Sequence, residues 1–253
     1  MDVTEMLTRL GIDRKETEKP GRNRLELLMH QHLLTVPFEN LDIRANVPIL
    51  LDLPMIYEKV VRRKRGGGCY ELNGLFAWLL EKLGYRVRLL SARVFRPDGT
   101  PGPEFDHLTL LVFDEQPLLV DVGFGDSARR PVPLDGSVVS DVSGDYRVMP
   151  AADPDAWVLE KRQPGEEWKP QHQFTLRPWI LSDFMPMCIH HQTSPESGFT
   201  RRMVCTIATE TGRITLTDEG LTITERGEKK KIPVRSLPER RAALQRWFGI
   251  RLV

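Results

Sequence analysis

The sequence predicts an α+β protein with a helical N-terminal part, a β-rich middle and a mixed C-terminal part. Up to about residue 85, apolar residues recur at the three- and four-residue spacing of helices that bury one face. From Tyr85 onward the pattern changes to short, partly alternating runs rich in β-branched residues, which are typical of strands. The chain closes with SLPERRAALQRWF, where Ser236 and Glu239 have the spacing of a capping box at a helix start.

The clearest predicted helix runs from about Cys69 to Leu83, and Gly84 follows it as a C-terminal cap. Farther along, the apolar runs HLTLLVF and PLLVDVGF flank Asp114-Glu115-Gln116-Pro117, which favours a β-hairpin. Segment 125–157 is rich in Gly, Pro, Asp and Ser, so we expect it to be a long surface excursion.

Composition narrows the class of protein. The 253 residues carry 36 Lys and Arg against 35 Asp and Glu, and a net charge of +1 provides no long-range field to attract nucleic acid or an anionic membrane. The three cysteines have no close spacing, the N-terminus lacks the apolar core of a signal peptide, and no stretch has the roughly 18 apolar residues of a membrane span. We therefore expect a cytoplasmic protein. Neither Cys-x-x-Cys nor His-Glu-x-x-His occurs, so no metal site is predicted.

A run of three glycines, residues 66–68, directly precedes Cys69. It permits a tight backbone and places Cys69 in the first turn of the predicted helix. Free amide groups and the helix dipole at that position favour a thiolate, the nucleophilic form of cysteine, and the same amides can hold an oxyanion. The alternative is a buried structural cysteine that happens to follow glycines.

A nucleophilic thiolate needs a base, and the base needs a group that orients it. His107 opens one run of the predicted hairpin, and Asp121 is a carboxylate inside the other, where burial is costly unless it is paired. A turn centred on Asp114 or Glu115 would place both on one face, whereas a turn centred between two residues would separate them. The other histidines are weaker candidates for the base: His30, His32, His172, His190 and His191.

At these residues the sequence resembles the arylamine N-acetyltransferases. The matching segments are VPFENL (36–41), RGGGCYELN (65–73), FDHLTLLV (105–112), LVDVGFGD (119–126) and the terminal RWFGI. The resemblance implies a ping-pong reaction, with no metal, in which Cys69 takes the acetyl group of acetyl-CoA as a thioester. An arylamine or arylhydrazine then attacks, His107 accepts and donates protons, and Asp121 orients His107.

The resemblance also implies a fold in three parts. Residues 1–84 would form a helical bundle that carries the nucleophile, residues 85–190 a β-barrel that carries His107 and Asp121, and residues 191–253 an α/β lid. Such a core is similar to those of papain-like and transglutaminase-like cysteine enzymes.

Further site residues follow from the same resemblance. Phe38 and Phe124 would line the acceptor pocket, with plain core packing as the alternative. Arg65, Glu39 and Asn73 would support the active site. If Arg65 is buried it needs a carboxylate, from Glu39 or Glu71, and otherwise it ends a solvated basic run.

Binding of CoA is assigned by resemblance to the loop before His107, with Gly102 and Pro103 as candidates. The sequence departs from the family there, because the loop is rich in Gly and Pro and carries Glu104, which would repel phosphate. Basic residues between 200 and 235 either contact the diphosphate or face solvent: Arg201, Arg202, Lys229, Lys230 and Lys231.

Two other functions remain open at this stage. A cysteine amidase or other hydrolase would use the same Cys-His-Asp triad, with water in place of the amine. A non-catalytic member would keep the fold and lack a working thiolate.

Overall fold

The computed structural model describes residues 1–13, 15 and 20–251, and these form eight α-helices and two antiparallel sheets. The helices are α1 (Val3–Leu10), α2 (Arg22–Thr35), α3 (Leu41–Arg44), α4 (Leu53–Tyr57), α5 (Cys69–Lys82), α6 (Met185–Thr193), α7 (Gly198–Arg201) and α8 (Leu237–Phe248). A π-helical segment, Glu58–Arg62, continues α4. A 3₁₀ turn, Leu181–Phe184, leads into α6.

The strands form one sheet of eight and one of five. They are β1 (Phe38–Glu39), β2 (Arg86–Val94), β3 (His107–Phe113), β4 (Pro117–Val120), β5 (Val132–Pro133), β6 (Val139–Asp141), β7 (Gly144–Pro150), β8 (Ala156–Arg162), β9 (Lys169–Thr175), β10 (Val204–Thr209), β11 (Gly212–Thr217), β12 (Gly220–Glu225) and β13 (Glu228–Ile232). The larger sheet has the order β5-β4-β3-β2-β9-β8-β7-β6, and β5 contacts β7, so it nearly closes into a barrel. The smaller sheet has the order β1-β10-β11-β12-β13.

Three hydrophobic clusters hold these elements together. The helical cluster joins α1, α2, α4 and α5 to one face of β3 and β4. The barrel cluster fills the inside of the eight-stranded sheet, and a third cluster packs α8 on the five-stranded sheet. The observed architecture is the α+β fold expected from the sequence. The division at residues 84 and 190 stays a prediction, and residue 190 falls inside α6.

Helix α5 begins and ends where the sequence predicts. Cys69 is its first residue, and Gly84 follows its end with φ of 91°, a conformation that favours glycine. The helix packs against β2 and β3. The first turns of α5 lie beside β3, which begins with the predicted base His107, and beside Asp121, the predicted carboxylate, which directly follows β4.

The predicted hairpin forms, and its register is one of the two that place the pair on one face. Leu110 opposes Val120 and Val112 opposes Leu118, so the turn is centred on Glu115. His107 and Asp121 are then diagonal neighbours, as expected from this register.

The prediction of a surface excursion over 125–157 is wrong. The segment contains β5, β6, β7 and the start of β8, and its alternating residues Tyr146 and Val148 are fully buried in the barrel cluster. Gly136 lies in the short connection between β5 and β6, whereas Pro133, Gly144 and Pro150 end or begin strands, so Gly and Pro do not indicate a long loop here. Within residues 1–13, 15 and 20–251, no helix combines the length and the apolar character that crossing a membrane requires.

Candidate active site

The glycine run before Cys69 allows a close approach of two backbone segments. A Cβ on Gly66 would lie 1.9 Å from the carbonyl oxygen of Pro37, and one on Gly67 would lie 2.9 Å from atoms of Glu71. At Gly68 the nearest atom would be 3.8 Å away, so only Gly66 and Gly67 of this run have no room for a side chain. The run brings Cys69 into a buried position at the first residue of α5, where it is 6% exposed.

Glu71, in the first turn of α5, fixes the backbone next to Cys69. Its Oε2 accepts a hydrogen bond of 2.8 Å from the Gly68 amide, and its Oε1 lies 2.8 Å from Nζ of Lys59. Burial raises the pKa of Glu71, against the opposing effect of Lys59. The carboxylate therefore depends on Lys59 to remain ionised.

Lys59 belongs to a larger network of buried and half-buried charges, which we call the charge cluster: Glu39, Asp42, Lys59, Arg65 and Glu71. Lys59 Nζ is 2.7 Å from Asp42 Oδ2, and Arg65 is 2.7 Å from Glu39 and 2.8 Å from Asp42. The Arg65 side chain is only 15% exposed, so it is not part of a solvated run. Its partners are Glu39 and Asp42, while Glu71 pairs with Lys59. Neither Asp42 nor Lys59 is predicted from the sequence as a site residue, because LDIR and EKVV carry no distinguishing pattern.

His107 and Asp121 form a short hydrogen bond in which Nε2 donates to Oδ2 across 2.6 Å, and both side chains are 4% exposed. Burial would lower the pKa of His107, but the Asp121 carboxylate and a hydrogen bond to Cys69 outweigh it and raise that pKa. Burial acts in the opposite direction on Asp121, whose pKa is nevertheless lowered, chiefly by His107. The imidazole thus lies between a carboxylate and the thiol.

Asn73, one turn beyond Cys69, holds Asp121 in place. Its Nδ2 donates to Asp121 Oδ1 at 2.9 Å and to the Leu108 carbonyl at 2.6 Å, and its Oδ1 accepts from the Val122 amide. The Gly123 amide also donates to Asp121 Oδ1. Two donors therefore occupy the oxygen of Asp121 that does not face His107.

A small, largely apolar cavity opens beside Cys69. Its lining includes Phe38, Ile43, Ile49, Cys188, His191 and Phe199. Phe38 is half-buried, and its ring centroid is 6.0 Å from that of Phe199. Phe124 packs its ring against His107 at 5.1 Å in an edge-to-face geometry. Phe38 thus lines the cavity beside Cys69, whereas Phe124 contacts the proposed base and is not part of the cavity lining.

His172 on β9 lies next to the pair formed by His107 and Asp121. Its ring centroid is 5.4 Å from that of His107, and burial lowers its pKa to about 3. Among the described residues, neither of its ring nitrogens has a hydrogen-bond partner. Sequence analysis gave this histidine little weight, because its proximity arises from pairing between distant strands. Together with His107 and Asp121 it offers donor atoms suited to a metal ion.

The candidates for binding CoA lie in the loop between β2 and β3. The Gly102 amide donates to the Val94 carbonyl, and Arg93 donates to the Gly102 carbonyl. Pro103 and Glu104 are exposed. The basic residues considered with them are exposed, and the three lysines lie on β13 at a sheet edge: Arg201, Arg202, Lys229, Lys230 and Lys231.

Comparison with known proteins identifies the family. A family model described as N-acetyltransferase matches residues 23–253. Over 260 residues the chain is 32% identical to the arylamine N-acetyltransferase of Mycolicibacterium smegmatis, covering 100% of this chain and 93% of that one. The structure of arylamine N-acetyltransferase C from Bacillus anthracis superposes with a TM-score of 0.90 at 30% identity, covering 98% of both chains. The structure of the Mycobacterium marinum arylamine N-acetyltransferase in complex with CoA superposes with a TM-score of 0.89 at 31% identity, covering 98% of this chain and 93% of that one.

These matches extend over nearly the whole chain and agree with the architecture described above. They confirm the resemblance read from the sequence, together with acetyl-CoA as the donor. The chain belongs to the arylamine N-acetyltransferase family, whose members are enzymes that transfer acetyl groups.

Proposed function

We propose that Cys69, His107 and Asp121 are the catalytic triad of this acetyltransferase. The observation that carries the proposal is the position of His107, which is hydrogen-bonded to Asp121 at 2.6 Å and contacts Cys69 at the start of α5. A base oriented by a carboxylate beside a nucleophile is the arrangement that covalent catalysis requires. The raised pKa of His107 supports a protonated imidazole next to a Cys69 thiolate.

In the first half-reaction, the Cys69 thiolate attacks the carbonyl carbon of acetyl-CoA. The tetrahedral intermediate collapses, the bond from carbon to the sulfur of CoA breaks, and the His107 imidazolium gives its proton to the departing sulfur. Free amides at the start of α5 are suited to stabilise the oxyanion. The products are acetylated Cys69 and CoA, and His107 is left as a neutral base.

In the second half-reaction, the nitrogen of an arylamine or arylhydrazine attacks the thioester carbonyl. His107 takes the proton that the nitrogen loses, the bond to Cys69 breaks, and the thiolate and imidazolium are restored. Asp121 keeps the ring in the required tautomer and stabilises its charge throughout.

The remaining site residues take supporting roles in this proposal. Phe38 and Phe124 bind the aromatic acceptor; Phe38 does so from the apolar cavity beside Cys69, and Phe124 from its position against His107. Arg65 and Glu39 stabilise the segment before Cys69, and Asn73 holds Asp121. Gly102 and Pro103 remain the candidates for contact with CoA. In the same proposal, the bundle, barrel and lid correspond to residues 1–84, 85–190 and 191–253.

We also propose a cytoplasmic location and, beside acetyl-CoA and the small-molecule arylamine or arylhydrazine, neither nucleic acid nor a membrane as a partner. Three cysteines without a disulfide support a reducing compartment, and a net charge of +1 supports neither nucleic acid nor an anionic membrane as a partner.

The deciding experiment is incubation with acetyl-CoA followed by peptide mass spectrometry. We expect an acetyl group on Cys69 that an arylamine discharges rapidly and water slowly. No loading of Cys69 would refute the proposal, and rapid discharge by water would favour a hydrolase.

Alkylation by iodoacetamide provides an independent check on the thiolate. Burial raises the pKa of Cys188 to about 12 and raises that of Cys205 as well, so both thiols stay neutral. We expect selective alkylation of Cys69 at mildly acidic pH, and much slower reaction in His107→Ala.

A further inference from the structure

We propose that His107, Asp121 and His172 form a binding site for Zn²⁺, and that occupation of this site stops acetyl transfer. One donor atom from each of the three residues lies within 4.8 Å of the other two, and all three side chains are buried. The inhibitory part of the proposal rests on the proposed role of His107 as the base. The binding part stands on the cluster alone.

His172 is the residue that makes this cluster more than a catalytic pair. It lies on β9, which pairs with β2, and β2 in turn pairs with β3, where His107 is located. The side chain is fully buried, and neither ring nitrogen has a hydrogen-bond partner among the described residues. A buried nitrogen without a partner carries an uncompensated desolvation penalty, and a metal ion in contact with it would remove that penalty.

The donor set is one that zinc prefers. Two imidazole nitrogens and one carboxylate oxygen occur together in zinc sites, and a fourth position is commonly filled by water. Because His172 is buried without a carboxylate in hydrogen-bond contact, its ring is neutral and a nitrogen lone pair is free for coordination.

The geometry requires a modest adjustment. Zinc bonds of about 2.0–2.2 Å in a tetrahedron place neighbouring ligand atoms roughly 3.4 Å apart. The 2.6 Å contact between His107 Nε2 and Asp121 Oδ2 would have to open, while His172 would move inward. Donors already hold the far oxygen of Asp121, since Asn73 and Gly123 both bond to Oδ1. These two hydrogen bonds leave Oδ2 directed at the cluster, as expected for a ligating carboxylate.

Binding of Zn²⁺ would interrupt the reaction because the ion replaces a proton of the triad. The ion takes the place of the proton between His107 Nε2 and Asp121 Oδ2, and that proton is released to solvent. With Nε2 coordinated, His107 keeps its remaining hydrogen on Nδ1. The ring can then no longer accept a proton from Cys69 or from the attacking amine.

The test uses Cys69→Ala, which removes the thiolate as a competing metal ligand and needs no activity. Metal-free protein is titrated with Co²⁺, whose visible spectrum reports coordination, and then with Zn²⁺ in competition. We expect one ion per chain in Cys69→Ala. In Cys69→Ala/His172→Phe the Kd should rise at least about tenfold, since even the loss of a residue that only supports a metal ligand costs 10- to 100-fold.

The matched control is Cys69→Ala/His32→Phe. His32 is likewise fully buried with both ring nitrogens unpartnered among the described residues, but it packs against Phe76 outside the cluster. This control should bind Co²⁺ as Cys69→Ala does.

Two results would overturn the proposal: no stoichiometric ion in Cys69→Ala, or equal affinity with and without His172. If His172→Phe does not fold, X-ray absorption of the zinc-loaded Cys69→Ala protein decides, because the proposal requires two imidazole ligands. Failure of Cys69 to accept an acetyl group would refute the triad and leave these binding results unaffected.

Discussion

Replacing Lys59 by Met would test whether the charge cluster stabilises the start of α5. Lys59 Nζ is 2.8 Å from Glu71 and 2.7 Å from Asp42, and the three side chains are 13%, 4% and 15% exposed. Asp42 would keep Arg65 as a partner, but Glu71 would be left buried with the Gly68 amide as its remaining donor. Removing one partner of a buried ion pair costs about 3–5 kcal/mol, and we expect a loss of unfolding free energy in that range.

The assay is urea unfolding, with Arg62→Met as the matched control. Arg62 is a cation on the same π-helical segment, but it is 57% exposed and 3.4 Å from the carboxylates of Glu5 and Glu58. Its replacement should therefore change the free energy of unfolding little. The double variant Lys59→Met/Glu71→Gln should regain part of the loss, because it removes the unpaired carboxylate. If Lys59→Met is no less stable than Arg62→Met, the charge cluster does not stabilise the start of α5.

Two further perturbations act on the triad itself. A Cβ in Gly123→Ala would lie 2.8 Å from Cα of Cys69, so we expect alkylation of Cys69 by iodoacetamide to slow at least about tenfold, while Gly198→Ala, with open space, should not change it. Wild type and His107→Gln should differ most in unfolding free energy between pH 3.8 and 6.5, the ordinary pKa values of Asp121 and His107. The lowered pKa of Asp121 removes its contribution as the pH falls, and the raised pKa of His107 removes its contribution as the pH rises. Urea unfolding at acidic, neutral and alkaline pH measures this, and a pH-independent difference would contradict it.

Local patterns predicted the hairpin and the nucleophile helix because their determinants lie within a few residues of each other. The turn at Glu115 and the even spacing of opposed residues are sufficient to bring His107 and Asp121 onto one face. The cap at Gly84 sets the C-terminal limit of α5 in the same local way.

Contacts between segments that are far apart in the chain could not be predicted from local sequence patterns. His172 reaches His107 only because β9 pairs with β2 and β2 pairs with β3, and the 64 residues between the two histidines contain no signal for that pairing. Asp42 joins Lys59 and Arg65 through packing of separate segments. The segment 125–157 was misinterpreted for a related reason. Its strands are short, and their apolar residues gain burial only once the barrel is nearly closed.

The first turns of α5 contact two polar networks, the charge cluster on one side and the hydrogen bonds to Asp121 on the other. Glu71 belongs to the charge cluster and accepts a hydrogen bond from the Gly68 amide. Asn73 faces the barrel and donates a hydrogen bond to Asp121. Cys69 precedes Glu71 by two residues and Asn73 by four. Because one helix carries all three side chains, a displacement of its start would change the geometry on both sides together. Reactivity of Cys69 should therefore respond to changes in the charge cluster, including Asp42, that do not touch the thiol. Such coupling would appear as a slower alkylation of Cys69 in Asp42→Asn with the protein still folded.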